Sequence, residues 1–149
     1  MILKIVKTTE DIETFSKYKL ECIKYHQEFA NKLGLHDLVV ENYKLEDTIK
    51  YLGKKDYYQY LIECDNKYVG MIECCKMESK IDQAKYIELL NIYIDEKYRD
   101  KQIARNAINN LKERFSLRIE LDCWYNLPAN HLYKSMGMKE TKVRYMYDE

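Results

Sequence analysis

One proline, Pro128, and four glycines, Gly34, Gly53, Gly70 and Gly137, are the only strong backbone breakers in the 149-residue sequence. With so few, there is no Pro-, Gly- or Ser-rich linker, and the chain shows neither a repeat nor a low-complexity tract. It is long enough for one sizeable core and too short for two, so a single domain over residues 1–149 is expected. An excess of one charge is also missing, since 25 basic residues balance 25 acidic ones and the two signs are well mixed. That balance argues against a nucleic-acid polyanion or an anionic membrane as the main partner. No apolar run exceeds strand length, and the stretch from Met1 to Lys7 has no extended apolar segment with a cleavage site. Neither a signal peptide nor a membrane span is predicted, and the expected location is cytoplasmic.

The five cysteines (Cys22, Cys64, Cys74, Cys75, Cys123) are odd in number and contain no CxxC pair. Reduced, mostly buried thiols are expected rather than a disulfide framework or a zinc site. His26, His36 and His131 are too scattered for a local ligand motif, so no metal is expected.

Hydrophobic periodicity is abundant by contrast. Ile2 to Val6 reads as a strand, and Thr8 or Thr9 followed by Glu10 and Asp11 reads as a capped helix start. The helix that follows repeats Ile12, Phe15, Tyr18 or the stem of Lys19, Cys22, Ile23, His26 and Phe29 at three-four spacing and ends near Gly34. A shorter helix fits Leu45 to Leu52. Two strands, Tyr57 to Cys64 and Tyr68 to Lys76, flank a hairpin turn at Asp65, Asn66 and Lys67. Tyr86 to Ile94 is almost unbrokenly apolar, which predicts a central strand covered on both faces. After it, Ile103, Ala104, Ala107, Ile108, Leu111 and Phe115 mark one side of a helix. A strand is predicted over Leu117 to Tyr125, then a short helix capped by Asn126 with Pro128 in its first turn and Gly137 at its end. A last strand covers Val143 to Tyr147. The sum is a mixed α/β (α+β) fold, a mostly antiparallel central sheet with helices on both faces.

Two features of this layout carry chemistry. At the start of the helix after Ile94, the run Arg99, Asp100, Lys101, Gln102, Ile103, Ala104 sets two cations among N–H groups that have no partner inside the helix. Such a start is an anion site suited to a phosphate. In the strand before it, Glu88 stands between Ile87 and Leu89, and an ionised carboxylate is rarely buried there without a partner.

The order of elements and three motifs resemble the GNAT superfamily of N-acetyltransferases over essentially the whole chain. In that family a strand leads into Arg or Gln, two residues, Gly, one residue, then Gly or Ala. Arg99 to Ala104 follows this pattern, with Gln102 where glycine is usual; the backbone amide is kept, since only proline lacks one. The second motif is Asn126, Ala129, Leu132, Tyr133, Gly137 and Met138, similar to the family's Asn, Ala, Leu-Tyr, Gly-Phe run with Met138 in place of Phe. The third is Glu88, on the strand that in some members carries the general base.

The resemblance implies acetyl-CoA as co-substrate, a primary amine as acceptor and direct attack in a ternary complex. It implies that the central strand splays from its neighbour near a bulge, freeing backbone N–H groups of Ile92, Tyr93 and Ile94 for cofactor and oxyanion. Amides of Asp100, Lys101, Gln102, Ile103 and Ala104, helped by Arg99, would hold the pyrophosphate, and Asn126 the pantetheine arm. Arg105 is the residue near enough in sequence to reach the adenosine phosphate, or else a solvated helix residue. Glu88 would take the amine proton, directly or through a water, and Tyr133 would protonate the leaving thiolate.

The acceptor itself is open: a polyamine, aminoglycoside, amino acid or peptide amine all fit. Candidate residues to meet it are Glu28, His36, Asp37, Glu41, Glu73, Glu120, Asp122 and Trp124. A stacking platform for single-stranded nucleic acid, suggested by the 15 tyrosines, is disfavoured by the balanced charge. The closer rival is a catalytically weak acyl-CoA-binding or protein-interaction module on the same fold. It draws on Gln102, whereas Glu88 and Tyr133 speak for catalysis. The last strand, short and at an edge, leaves room for pairing into a homodimer.

Overall fold

Thr8 starts the first helix as the sequence suggests. In the computed structural model, which describes residues 1–35 and 43–147, its hydroxyl accepts from the Asp11 amide at 3.1 Å. Asp11 Oδ2 returns the bond by accepting from the Thr8 amide at 3.0 Å, completing a capping box. Burial pushes the Asp11 carboxyl up, yet hydrogen bonds from the Thr8 and Lys7 amides and the Tyr68 hydroxyl outweigh it and hold the pKa at about 2. The helix, α1 (Thr9–Lys32), buries Phe15, Tyr18, Cys22 and Phe29 along one stripe. A short α2 (Leu45–Lys50) packs beside it, where Ser16 Oγ and Thr48 Oγ1 lie 2.7 Å apart.

Five strands form one sheet in the order β1 (Ile2–Ile5), β2 (Tyr57–Cys64), β3 (Lys67–Glu78), β4 (Lys85–Ile94), β5 (Arg118–Leu121). The first four run antiparallel to their neighbours; β5 is parallel to β4, joined through α3 (Ile103–Phe115). Parallel pairing needs such a crossover. The core lies on both sheet faces. Ile103, Ala107, Ile108 and Leu111 of α3 meet Ile72, Ile87 and Leu89 on one; Phe15 and Tyr18 of α1 meet Leu61 and Met71 on the other. A final helix, α4 (Ala129–Ser135), sets Leu132 and Tyr133 against the α3 side. No helix among the described residues is long and apolar enough to cross a membrane.

The unbroken apolar run of β4 has a mechanical explanation. Glu73 on β3 pairs with Asn91 and Cys74 with Leu89, so Leu90 is an extra residue, a bulge. The extra residue resets the alternation. Ile87 and Leu89 before it and Ile92 and Ile94 after it all face the α3 core, while Tyr93 turns to the α1 core.

Three expectations are corrected. β5 stops at Leu121 rather than Tyr125, since the chain leaves the sheet there and turns at Tyr125 and Asn126. Asn126 does not cap α4: Pro128 is the N-cap, with no side-chain cap bond. Asn130 instead pins the approach to the helix, its Nδ2 donating to the carbonyls of Trp124 (2.8 Å), Tyr125 (3.0 Å) and Leu127 (3.0 Å). Residues Val143 to Tyr147 form no strand and are exposed.

Candidate active site

β4 and β5 pair only from Tyr86–Arg118 to Leu89–Leu121. Beyond that point they part, and between them opens a cleft of about 540 Å³, closed by the start of α3 on one side and by α4 on the other. The residues put forward from the sequence largely converge here: Ile92, Tyr93, Ile94, Arg99, Asp100, Gln102, Ile103, Ala104 and Tyr133 all line it. Lys101, Asn126 and Glu88 do not.

The β4 wall offers backbone donors. The Asp95 amide donates to the Val69 carbonyl at 2.9 Å, which fixes the antiparallel alternation. By that alternation Tyr93 bonds toward β3, while the amides of Ile92 and Ile94 point away from β3 into the gap that β5 leaves. Arg99 Nε donating to the Ile94 carbonyl at 2.9 Å agrees with this direction.

At the helix start, Asp100 and Gln102 both have left-handed backbone, with φ of +62° and +63°. Gln102 is the N-cap of α3 and supplies no side-chain cap bond, so the first-turn amides are left for a ligand at the positive end of the helix. The positive φ gives the physical reason why glycine suits this position. In this chain the Gln102 side chain is occupied otherwise: its Oε1 accepts from Arg105 Nε at 2.9 Å, and Arg105 Nη2 donates to Ser135 Oγ at 2.6 Å. Arg105 thus ties α3 to α4 across the rim. Because the left-handed conformation penalises a β-branched side chain most, Gln102→Val is expected to lower the unfolding free energy by about 1–2 kcal/mol, and Gln102→Gly to leave it within about 1 kcal/mol. Urea denaturation of the two variants checks this.

Arg99 is held more firmly than a free phosphate ligand would be. Its guanidinium lies 4.8 Å from the Tyr25 ring centroid and 5.3 Å from that of Tyr93. Tyr25, on α1, thereby joins the first helix to the turn before α3. Sequence reasoning missed it, because its place on α1 lies outside the apolar stripe.

Tyr133 faces the cleft from α4, half-buried, and its hydroxyl has no hydrogen bond to the described residues. Burial raises its pKa well above the ordinary tyrosine value, with smaller pushes from Cys123, Cys22 and Tyr25, so the phenol keeps its proton. Cys123 also lines the cleft, and burial lifts its thiol to about 11.

Glu88 sits on β4 just before the bulge, in register with Cys75 on β3 and Glu120 on β5. Burial first, then the charges of Asp122 and Glu120, raise its pKa to about 7, while Lys142 pulls it down. A second group with base chemistry is His26 on α1, which lines the cleft. Burial and the nearby Lys19 hold its imidazole below the usual 6.5, hence neutral at pH 7.

Of the carboxylates considered for the acceptor, Glu73 is already neutralised. It is 4% exposed, and Lys19 Nζ donates to Oε1 at 2.9 Å and to Oε2 at 2.8 Å, with Asn91 Nδ2 at 3.4 Å from Oε1. It is therefore a buried ion pair rather than a binding carboxylate. Glu120 is bonded to Arg118 at 2.7 Å, on the surface. His36, Asp37 and Glu41 lie outside the described residues.

Asn126 turns its Nδ2 to the Phe29 carbonyl at 3.4 Å and leaves Oδ1 buried with no partner among the described residues. A buried acceptor without a donor is a cost unless a ligand relieves it.

Structural comparison finds the same architecture in many solved chains. A Bacillus halodurans protein, BH1408, superposes with a TM-score of 0.80 at 17% identity over 100% of both chains. An aminoglycoside 6'-N-acetyltransferase from Acinetobacter haemolyticus gives 0.71 at 18% identity, covering 100% of this chain and 99% of that one. An aminoglycoside N-acetyltransferase solved in complex with CoA gives 0.71 at 13% identity over 99% and 93%. These likenesses are of fold. Among curated proteins no sequence matches significantly. The model of the acetyltransferase (GNAT) family matches residues 21–138, which takes in β2 to β5, the turn before α3 and Tyr133, and the chain belongs to that family.

Proposed function

We propose that the chain transfers the acetyl group of acetyl-CoA to a primary amine by direct attack in a ternary complex. The observation that carries this reading is the juxtaposition of the uncapped α3 start, the parted β4 and β5, and a protonated Tyr133 around one cleft. The residues present suit the cofactor. The first-turn amides of α3 and the left-handed turn at Asp100 and Gln102 would hold its pyrophosphate, and Lys101 adds charge nearby. The orphaned Asn126 Oδ1 would accept from an amide N–H of the pantetheine arm. Bound acetyl-CoA supplies the activated thioester carbonyl.

The chain's own groups then divide the proton work. An amine with a pKa of ~10.4 is free base in only about four molecules in ten thousand at pH 7. Glu88, poised near 7, takes that proton; since it stands outside the cleft lining, a bridging water carries it there. The Ile92 and Ile94 amides face the gap as donors for the charge that builds on the carbonyl oxygen. Tyr133 gives its hydroxyl proton to the departing sulfur. Similarity to aminoglycoside acetyltransferases makes a small polyamine-like acceptor a reasonable first probe, with peptide amines second. Nothing in this chemistry needs a metal, and its setting would be the cytoplasm.

The test is thiol release from acetyl-CoA against a panel of amines, alongside thermal melting with acetyl-CoA alone. The expected result is a rise in melting temperature with cofactor and turnover with at least one amine class. A melting shift with no turnover on any amine would favour the acyl-CoA-binding module instead, and no shift at saturating cofactor would sink both.

A further inference from the structure

The turn that leads into α3 does little to hold itself. One tight helical turn (Glu96–Tyr98) is closed by the Arg99 amide, which donates to the Glu96 carbonyl at 3.2 Å. The chain then passes through left-handed backbone at Asp100 and Gln102, and among the described residues the Asp100, Lys101 and Gln102 amides donate to no backbone carbonyl. The position of this turn therefore rests on side chains.

Arg99 is the side chain that reaches furthest. Its guanidinium carbon lies 4.8 Å from the ring centroid of Tyr25 on α1 and 5.3 Å from that of Tyr93 on β4, and its Nε donates to the Ile94 carbonyl at 2.9 Å. Both rings are braced in turn by α1. Tyr25 meets Phe29 edge-on at 5.1 Å between centroids, and Tyr93 lies 6.1 Å from Tyr18. Among the described residues no carboxylate forms a salt bridge with Arg99. The choice of partner matters. A carboxylate would fix the guanidinium and cancel its charge, whereas aromatic faces fix it through their quadrupoles and leave the charge whole. Arg99 is thus an undiminished cation, held still on the lining of the cleft beside the start of α3.

We infer that Tyr25 is a positioning residue for the cofactor: with Tyr93 it holds Arg99 in place and charged, and Arg99 pins the turn whose amides receive the diphosphate. The inference rests on the acetyl-CoA reading above. Tyr25 acts through Arg99, so its loss should show in cofactor affinity and leave the chemical step alone.

Titration calorimetry of CoA into the full-length chain reads this apart from turnover. Tyr25→Leu is expected to weaken CoA binding about tenfold, and Tyr25→Phe, which keeps the ring face, to stay within about twofold of the parent. Arg99→Lys keeps the charge but loses the planar stack and the Nε bond to Ile94, so it too should weaken binding about tenfold. The double variant Tyr25→Leu with Arg99→Lys should be little worse than either alone, since both remove one device. At saturating acetyl-CoA the kcat of Tyr25→Leu should stay within about threefold of the parent, which places the loss in KM. Circular dichroism confirms the fold of each variant, and should Tyr25→Leu unfold, Arg99→Lys and Tyr25→Phe still decide. Tyr25→Leu binding CoA like the parent, Tyr25→Phe losing as much as Tyr25→Leu, Arg99→Lys binding like the parent, single losses that multiply in the double variant, or a loss confined to kcat would each overturn the inference and leave the cofactor reading standing. A parent that binds no CoA would overturn both.

Discussion

Tyr133→Phe is expected to lower kcat by about 100-fold while the KM for acetyl-CoA changes by no more than about twofold. The ring packs with the α3-side core, so a phenylalanine keeps that packing and removes only the hydroxyl. The hydroxyl has no hydrogen bond to the described residues, so its loss leaves no protein donor or acceptor stranded, and stability should be nearly unchanged. In the proposed mechanism what is lost is the proton for the departing thiolate. Burial keeps the phenol protonated across the neutral range, which suits an acid rather than a base. Steady-state thiol release at several amine concentrations makes the measurement. An equal loss in kcat and kcat/KM is the mark of an interaction made in the transition state; a rise in KM alone would reduce Tyr133 to a binding residue.

Much of this fold is legible from local pattern. β2 over Tyr57 to Cys64 and α3 over Ile103 to Phe115 follow from alternation and three-four spacing, because each buries one face and the period states which. Glu73 shows where that stops. By residue type it is one of several carboxylates that could meet an amine, and nothing nearby in sequence announces that Lys19, 54 positions earlier, reaches it. The bulge at Leu90 is similar: an apolar run reads as a strand covered on both faces, and the extra residue becomes visible only in the register with β3. Asn126 and Asn130 divide along the same line. Both are plausible caps by residue type, and the path of the loop from Leu121 decides that Asn130 bonds three carbonyls while Asn126 keeps a buried oxygen with no partner among the described residues. The segment Val143 to Tyr147 has strand composition but pairs with no strand among the described residues, and a pairing partner is something no local pattern can supply.

Glu88→Gln is the second large effect expected, and it moves activity and stability in opposite directions. The folded carboxyl titrates near 7, above the ordinary 4.5. A carboxyl whose pKa is raised by folding stabilises the fold fully only below its unfolded pKa, and that contribution is lost as pH rises through the folded value. At pH 8 the parent therefore holds a charge that burial and the neighbouring Asp122 and Glu120 disfavour. Glutamine removes that charge, so the variant should melt higher than the parent at pH 8 and differ little at pH 5. Catalysis should respond the other way. If Glu88 is the base, log kcat/KM of the parent rises with unit slope up to about pH 7 and then levels, since only the carboxylate accepts a proton. The variant should lose that limb and fall about 100-fold at pH 8. Melting curves at the two pH values and a pH–rate profile for both proteins supply the readings. A variant that gains stability at pH 8 yet keeps the parent's acidic limb would leave Glu88 a merely strained carboxyl and move the base to the neutral imidazole of His26 on the cleft wall. His26→Gln would then be the change that removes the limb.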